Sequence, residues 1–345
     1  MLKPFSYYEY FVDLRKLNRI LLKPNIMKLI LTTCLAMGIT LSLKAQSPDK
    51  ALARVRYTFT HIQDTTQKDK PHTENMLLVT GKNASVYTSY DKINEALNAQ
   101  KQIEEQIKNQ TGNSNVKIEL KRQTKGSVTQ ADYFFFANER KLITKEKLFN
   151  NYLVEEAAPK IDWKILKDTM SFSGIPCQKA TANFKGRNWI AWFATELPFQ
   201  SGPWKLNGLP GLIVEAYDEK KEVKFEFAGL ENVTASDEKN TSADEPKVTM
   251  ANGAVAGIKI VGMDVGTSYL GSEIKLPADA IKTTRKELDK LKEARDKDPQ
   301  GFMQAQMAAS GMQGSFKMNA APRPAGSTAA VKSEINNPLE ISSQK

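Results

Sequence analysis

Two cysteines and two histidines in 345 residues leave little for thiol or metal chemistry. His61 and His72 stand eleven apart in a loop-like stretch, a spacing that matches no zinc site, and no run of closely spaced Asp and Asn suits a calcium loop. Walker, dinucleotide, nucleophile-elbow and zincin patterns are absent. The longest uncharged apolar segment, residues 29–43, is too short for a comfortable membrane span. Strong charge is missing too. The formal +10 is concentrated at the start, where residues 1–45 hold seven Lys/Arg and two Asp/Glu, leaving 42 minus 37, or +5, for the remainder. That balance gives no warrant for nucleic-acid binding.

What is present at the start reads as an export signal. Lys28 precedes the segment LILTTCLAMGITLSL and Lys44-Ala45-Gln46 follows it, which predicts a signal peptide cleaved after Ala45. Met27-Lys28 would begin a signal of ordinary size, so residues 1–26 read as an over-long start. Cys34 ends a faint lipoprotein box, but Thr33 replaces the usual small residue and the apolar run continues past it. Cleavage leaves one thiol, Cys177, and therefore no internal disulfide.

Residues 46–276 predict a mainly β domain, a curved antiparallel meander of half-barrel type with a few peripheral helices. Leu52–Thr60 alternates, with Ala53, Val55, Tyr57 and Phe59 inward and Leu52, Arg54 and Arg56 outward. Met76–Thr80 and Ala84–Tyr90 flank a Gly81-Lys82-Asn83 hairpin signal. Ile93, Leu97, Ile103 and Ile107 predict a helical insertion over 92–110, closed by Gly112. Val116–Leu120, Tyr133–Phe136 and Lys141–Thr144 read as strands, and 145–158 as a short helix. Cys177–Phe184 and Arg187–Ala194 form a hairpin across Lys185-Gly186, followed by Leu212–Tyr217 and Val223–Phe227.

Residues 277–345 predict a helix over Thr284–Arg295 and a Met-, Pro- and Ala-rich tail. A loop over Ala235–Lys247 and a weak strand over Gly257–Met263 precede them. Met303, Met307, Met312 and Met318 read as tail rather than as a soft binding surface. Asn337–Ile341 restores an apolar element, as if the chain docks back.

The densest stretch is GPWKLNGLPGLIVEAY, Gly202–Tyr217. Pro210 and Gly211 predict a type II turn over Leu209–Leu212, with positive φ at Gly211. Three consecutive apolar residues, Leu212–Val214, then predict a strand covered on both faces. Trp163, Trp189, Trp192 and Trp204 all fall within 42 residues around it.

The run GPWKLNGLPGLI resembles the signature of the GLPGLI family of exported Gram-negative proteins. Ile161-Asp162-Trp163, Gly174–Ala180, Gly186-Arg187, Ala191-Trp192-Phe193 and the closing Asn337-Pro338-Leu339-Glu340 resemble further blocks of it. The resemblance implies export to the periplasm or cell surface and a mainly β fold. It implies no activity and no cofactor.

Chemistry has few carriers. Cys177 opens an apolar strand far in sequence from either histidine, so a buried structural thiol is expected. Asp168, Glu196, Glu215 and Asp218 sit near strand ends, where solvated charge is normal. Arg187 could clamp an anion, but stacking on Trp189 or Trp192 is the expectation. The signature positions Gly208, Leu209, Pro210, Gly211, Leu212 and Ile213, with the four tryptophans, Cys177 and Arg187, form the candidate binding or structural set. Three functions remain: a binding or accessory module for an apolar ligand or envelope partner, an assembly scaffold, and a carboxylate-dependent hydrolase. The first is expected.

Overall fold

A computed structural model describes residues 48–109, 128–234, 247–249, 255–257, 269–309 and 335–341. The residue 1–45 segment, Gly112, the strand expected at Val116–Leu120, nearly all of the 235–247 loop, 258–263, Met312, Met318 and the 320–332 linker lie outside these.

The protein is mainly β, as the alternation predicted. Its strands are β1 (Asp49–His61), β2 (His72–Gly81), β3 (Ala84–Ser89), β4 (Asp132–Phe136), β5 (Lys141–Lys147), β6 (Asn151–Ala157), β7 (Lys164–Phe172), β8 (Ile175–Phe184), β9 (Arg187–Ala194), β10 (Leu212–Asp218) and β11 (Val223–Asn232). The shorter β12 (Lys247–Thr249), β13 (Val255–Gly257), β14 (Glu273–Ile274) and β15 (Ile281–Thr283) follow. Thirteen strands form one open sheet in the order β15-β6-β5-β4-β3-β2-β1-β11-β10-β9-β8-β7, with β14 on the end of β1. Every pair in it is antiparallel except β15 with β6. Strands β12 and β13 pair separately, with Lys247 opposite Gly257.

Hairpins fix the registers. In the one joining β8 and β9, Lys185 and Gly186 have φ of 52° and 74°, the paired positive values of a two-residue type I′ turn whose twist matches the strands. Phe184 then faces Arg187 and Ala182 faces Trp189. Alternation along β2 divides the core: Met76 and Leu78 join Tyr57, Trp189 and Phe225, while Leu77 and Val79 join Val86, Phe134 and Tyr269. Both faces of β2 are thus covered, so Met76–Val79 reads as an unbroken apolar run.

Helix α1 (Tyr90–Asn109) buries Ile93 and Ile103 as its period required. Helix α2 (Arg285–Lys297) begins at Thr284, whose hydroxyl accepts from Glu287 N while the Glu287 carboxylate accepts from Thr284 N. That reciprocal cap is the reason the helix starts there. Leu288 is its buried contact, against Tyr152 and Val154. Helix α3 (Pro299–Ala309) holds Met303 and Met307, half-buried, so this part of the expected tail is helical.

Two readings need correction. The helix expected over 145–158 is the end of β5 and all of β6, because Tyr152 and Val154 pack under Leu288 and tertiary burial overrides local propensity. Arg54, read as solvent-facing, is 5% exposed and donates to the carbonyls of Leu270 and Gly271.

Candidate functional site

The signature stretch folds back over the sheet between β9 and β10. Leu212 N donates to Leu197 O and Ile213 N to Ser201 O, and the buried Tyr57 hydroxyl donates to Ile213 O at 2.6 Å. Leu209, Leu212, Ile213 and Val214 are at most 1% exposed, as the unbroken apolar run predicted. The turn itself differs from the expected type II. Gly211 N donates to Leu209 O at 2.8 Å across Pro210, a three-residue γ-type closure, and Gly211 has a nearly extended φ of 159°. Glycine is required there for space. A Cβ at Gly211 would lie 2.2 Å from the Ala194 carbonyl oxygen. Gly208 sits in the bend before it, where a Cβ would meet nothing within 4 Å.

Three of the four tryptophans are buried side chains of the core. Trp189 stacks on Phe225 at 6.0 Å, Phe225 on Phe59 at 5.0 Å, and Trp204 tilts against Trp189 at 5.8 Å and Phe184 at 5.7 Å. Each such pair adds about 0.5–1.5 kcal/mol beyond the area it buries. Trp192 points to the opposite face, beside Phe172 and under the Lys179 ammonium. Trp163 is half-buried and donates through Nε1 to Asn207 O, tying the start of β7 to the signature loop. The void beside Trp204 is about 10 Å³, lined by Ser85, the buried Tyr87 and Tyr133 among others. That is room for about one water and no more. A larger open depression of about 170 Å³, bordered by Thr80, Asn83, Asn138 and Gln200, is mostly polar.

Arg187 clamps a carboxylate, the alternative to the stacking that was expected. Instead of stacking on a tryptophan, its guanidinium is buried and bonds four ways. Nη1 donates to Asp218 Oδ2 at 2.7 Å, Nη2 to Asn337 Oδ1 at 2.6 Å and Pro338 O at 2.7 Å, and Nε to Leu339 O at 3.1 Å. Asp218 is fixed in turn by accepting from Val223 N. The returning segment, residues 335–341, therefore docks as its apolar residues predicted. His61 Nε2 bonds to Asn337 O at 2.8 Å, and Glu340 sits between Lys205 at 2.5 Å and Lys185 at 3.0 Å.

The four candidate carboxylates do not converge on one cleft. Asp168 and Glu196 are exposed, Asp218 is committed to Arg187, and Glu215 is half-buried. Burial, then the nearby Glu226 charge, raises the Glu215 pKa above the ordinary carboxylate value. Among the described residues, no three His, Cys, Asp or Glu side chains are grouped to hold a metal. No helix among them is long and apolar enough to cross a membrane.

Cys177 is 3% exposed, and burial, with Glu215 adding to it, pushes its thiol up to about 11. Such a thiol stays protonated at neutral pH. We expect thiol reagents to label it slowly in the native protein and rapidly after unfolding. Cys177→Ser should cost about 1–3 kcal/mol more than Cys177→Ala, because the hydroxyl is buried without a strong partner. Fast native labelling that depends on His61 or His72 would contradict this.

The His61 environment sets a pH dependence. Burial lowers its pKa, the Asn337 carbonyl and Asp218 work against that, and Arg187 and His72 reinforce it. A folded pKa below the unfolded value of about 6.5 means that the unfolded chain takes up the proton first. Stability is then full above about pH 6.5 and falls as the pH drops from there toward the folded value. Thermal melts from about pH 7 to 5 should show a declining Tm, and His61→Gln should flatten the decline. A wild-type Tm constant over that range would refute the assignment. Glu340 acts in a separate window. Burial tends to raise its pKa, but Lys205 and Lys185 outweigh burial and hold it below the ordinary value, so its contribution is lost only below about pH 4.3.

Sequence reasoning missed a second buried network. Asp132, fully buried, accepts from Thr88 Oγ1 at 2.6 Å and Tyr269 OH at 2.9 Å, and pairs with Lys92 at 2.5 Å and Lys145 at 3.1 Å. Burial works to raise its pKa and the two ammonium groups more than offset it. An acid inside the aromatic strand DYFFF was the available signal.

No family model matches the chain, and no curated protein matches it. Among solved structures it is similar to PNGF-II in the P21 space group, with TM-score 0.37 and 12% identity over 54% of this chain and 29% of that one. It is also similar to PNGF-II in the C2 space group, with TM-score 0.40 and 12% identity over 70% of this chain and 32% of that one. The chain thus covers less than a third of the length of either.

Proposed function

We propose that this is an exported protein of the cell envelope, freed of residues 1–45, that works as a non-catalytic binding module for a protein partner. Strand β7 carries the reading. It is one of the two terminal strands of the sheet, and none of the described segments pairs with its outer edge. Seven of its nine residues are exposed, among them Ile165 at 45% and Met170 at 50%. A long edge with apolar side chains is a template for adding a strand. Lys164, Lys167, Asp168 and the irregular register between Ile165 and Thr169 work against indiscriminate pairing of that edge.

An apolar small ligand fits this fold less well, since the tryptophans fill their own cluster. The resemblance of the signature blocks to the GLPGLI family supports export, as does the Lys28-flanked apolar segment.

A photo-crosslinking residue placed at Ile165 or at Met170, in protein expressed from its full sequence in a Gram-negative host that carries the native partners, tests the reading. Both positions should give the same discrete protein adduct, and the exposed helical position Lys290 should not. No adduct from either strand position, or the same adducts from all three, would overturn it.

A further inference from the structure

We propose that the cradle around Arg187 is a peptide-binding site, selective for an extended Asn-Pro-apolar-acidic segment, and that residues 335–341 occupy it as an exchangeable ligand of the same chain. The proposal is independent of the β7 edge.

The contacts read the segment position by position. Asn337 is 6% exposed and uses its whole side chain: Oδ1 accepts from Arg187, and Nδ2 donates to Ile62 O at 2.7 Å and Glu222 Oε2 at 3.2 Å. Its main chain is held as well, with N donating to Gln63 O and O bonded to His61. Aspartate would lack the donor for Ile62, and alanine would leave Arg187 and Ile62 unanswered. Pro338 has no N–H to satisfy, and its carbonyl accepts from Arg187. Leu339 packs against the Trp189 cluster. Glu340 meets two lysines, and Ile341 N closes the segment by donating to Lys185 O at 3.0 Å.

The receptor is built independently of what fills it. Asp218 holds one edge of the Arg187 fork, which is presented from the first residue of β9 beside the rigid type I′ turn, leaving Nη2 and Nε aimed at the segment. The segment is not a strand of the sheet. Of the aromatic core it supplies only Leu339, at the margin. Removing it would leave the apolar core in place and open the Nη2 and Nε donors to a cradle that another copy of the same peptide can fill.

The test keeps the full chain. A protease recognition sequence is inserted between residues 320 and 330, the folded protein is cut, and a fluorescent peptide of residues 335–345 is added. Native mass spectrometry should show the cut piece retained without a covalent link. Anisotropy should show the labelled peptide replacing it saturably, and an Asn337→Ala peptide should bind at least tenfold more weakly. Should cutting unfold the protein, the uncut Asn337→Ala chain decides, because its emptied cradle should bind the native peptide at least tenfold more tightly than the uncut wild type does. A natively folded cut protein that loses its piece and binds no peptide would overturn the proposal. Equal binding of the Asn337→Ala peptide, or no gain in the uncut variant, would do the same.

Discussion

Arg187→Ala should destabilise the protein by about 3–5 kcal/mol, the range for breaking a buried charge pair by removing one partner. Both side chains of the Arg187–Asp218 pair are nearly inaccessible, at 2% and 4%. Truncating the arginine leaves the Asp218 carboxylate buried with, among the described residues, only the Val223 N–H to answer it. It also strips three acceptors of the 335–341 segment of their donor, so docking and fold weaken together. Arg187→Lys should recover only part of the loss, since an ammonium cannot reproduce a planar fork that serves Asp218 on one edge and three oxygens on the other. Urea denaturation of the variants measures both losses. Adding Asp218→Asn to Arg187→Ala should cost little more, because the stranded charge is then gone. A loss below about 1 kcal/mol for Arg187→Ala would mean that the guanidinium is not the hub described.

Gly211→Val is the second large effect, and its cause is steric. The new Cβ would meet the Ala194 carbonyl oxygen at 2.2 Å and its carbon at 2.7 Å. These are main-chain atoms of β9, directly beside β10, so neither can rotate away as a side chain would. Relief requires β10 to move off β9, where Leu212 pairs with Ala194 and Ile213 with Phe193. Overpacking of a core costs about 1–3 kcal/mol, occasionally more, and this site belongs at the upper end. Even Gly211→Ala should carry most of the cost, because the clash begins at Cβ. Thermal melts of the two variants separate the causes. A melt of Gly211→Ala equal to that of the parent would show that the close approach of β9 and β10 is absent.

Much of the sheet was legible because burial on one face leaves a period of two. Ala53, Val55, Tyr57 and Phe59 announced β1, and Trp189, Ala191 and Phe193 announced β9. The return of residues 337–341 was also readable, as a small apolar element after a polar stretch. Strand β7 was missed for the converse reason: an edge strand that buries almost nothing has no face to encode, and KILKDTMSF carries no alternation. The 145–158 segment failed because helix α2, more than a hundred residues later, supplies the cover that makes it a strand.

At the site, residue type was informative where local geometry decides the outcome. Cys177 read as buried, and Leu212–Val214 read as covered on both faces. Partners were not legible, because topology assigns them. Nothing near Arg187 in sequence names Asn337 as its acceptor, and Asp132 gives no hint of Tyr269. The glycine of the signature was recognised as necessary, but its reason, a neighbouring strand's backbone, lies well upstream at Ala194.

A protein partner bound at the surface, as proposed, requires that the tryptophan cluster hold no small ligand of its own. Native mass spectrometry of the protein purified from the periplasm under gentle conditions tests this most directly. The spectrum should show the mass of the chain beginning at Gln46 with no small-molecule adduct; a stoichiometric lipid-sized adduct, lost on mutation of Trp189 or Trp204, would contradict it.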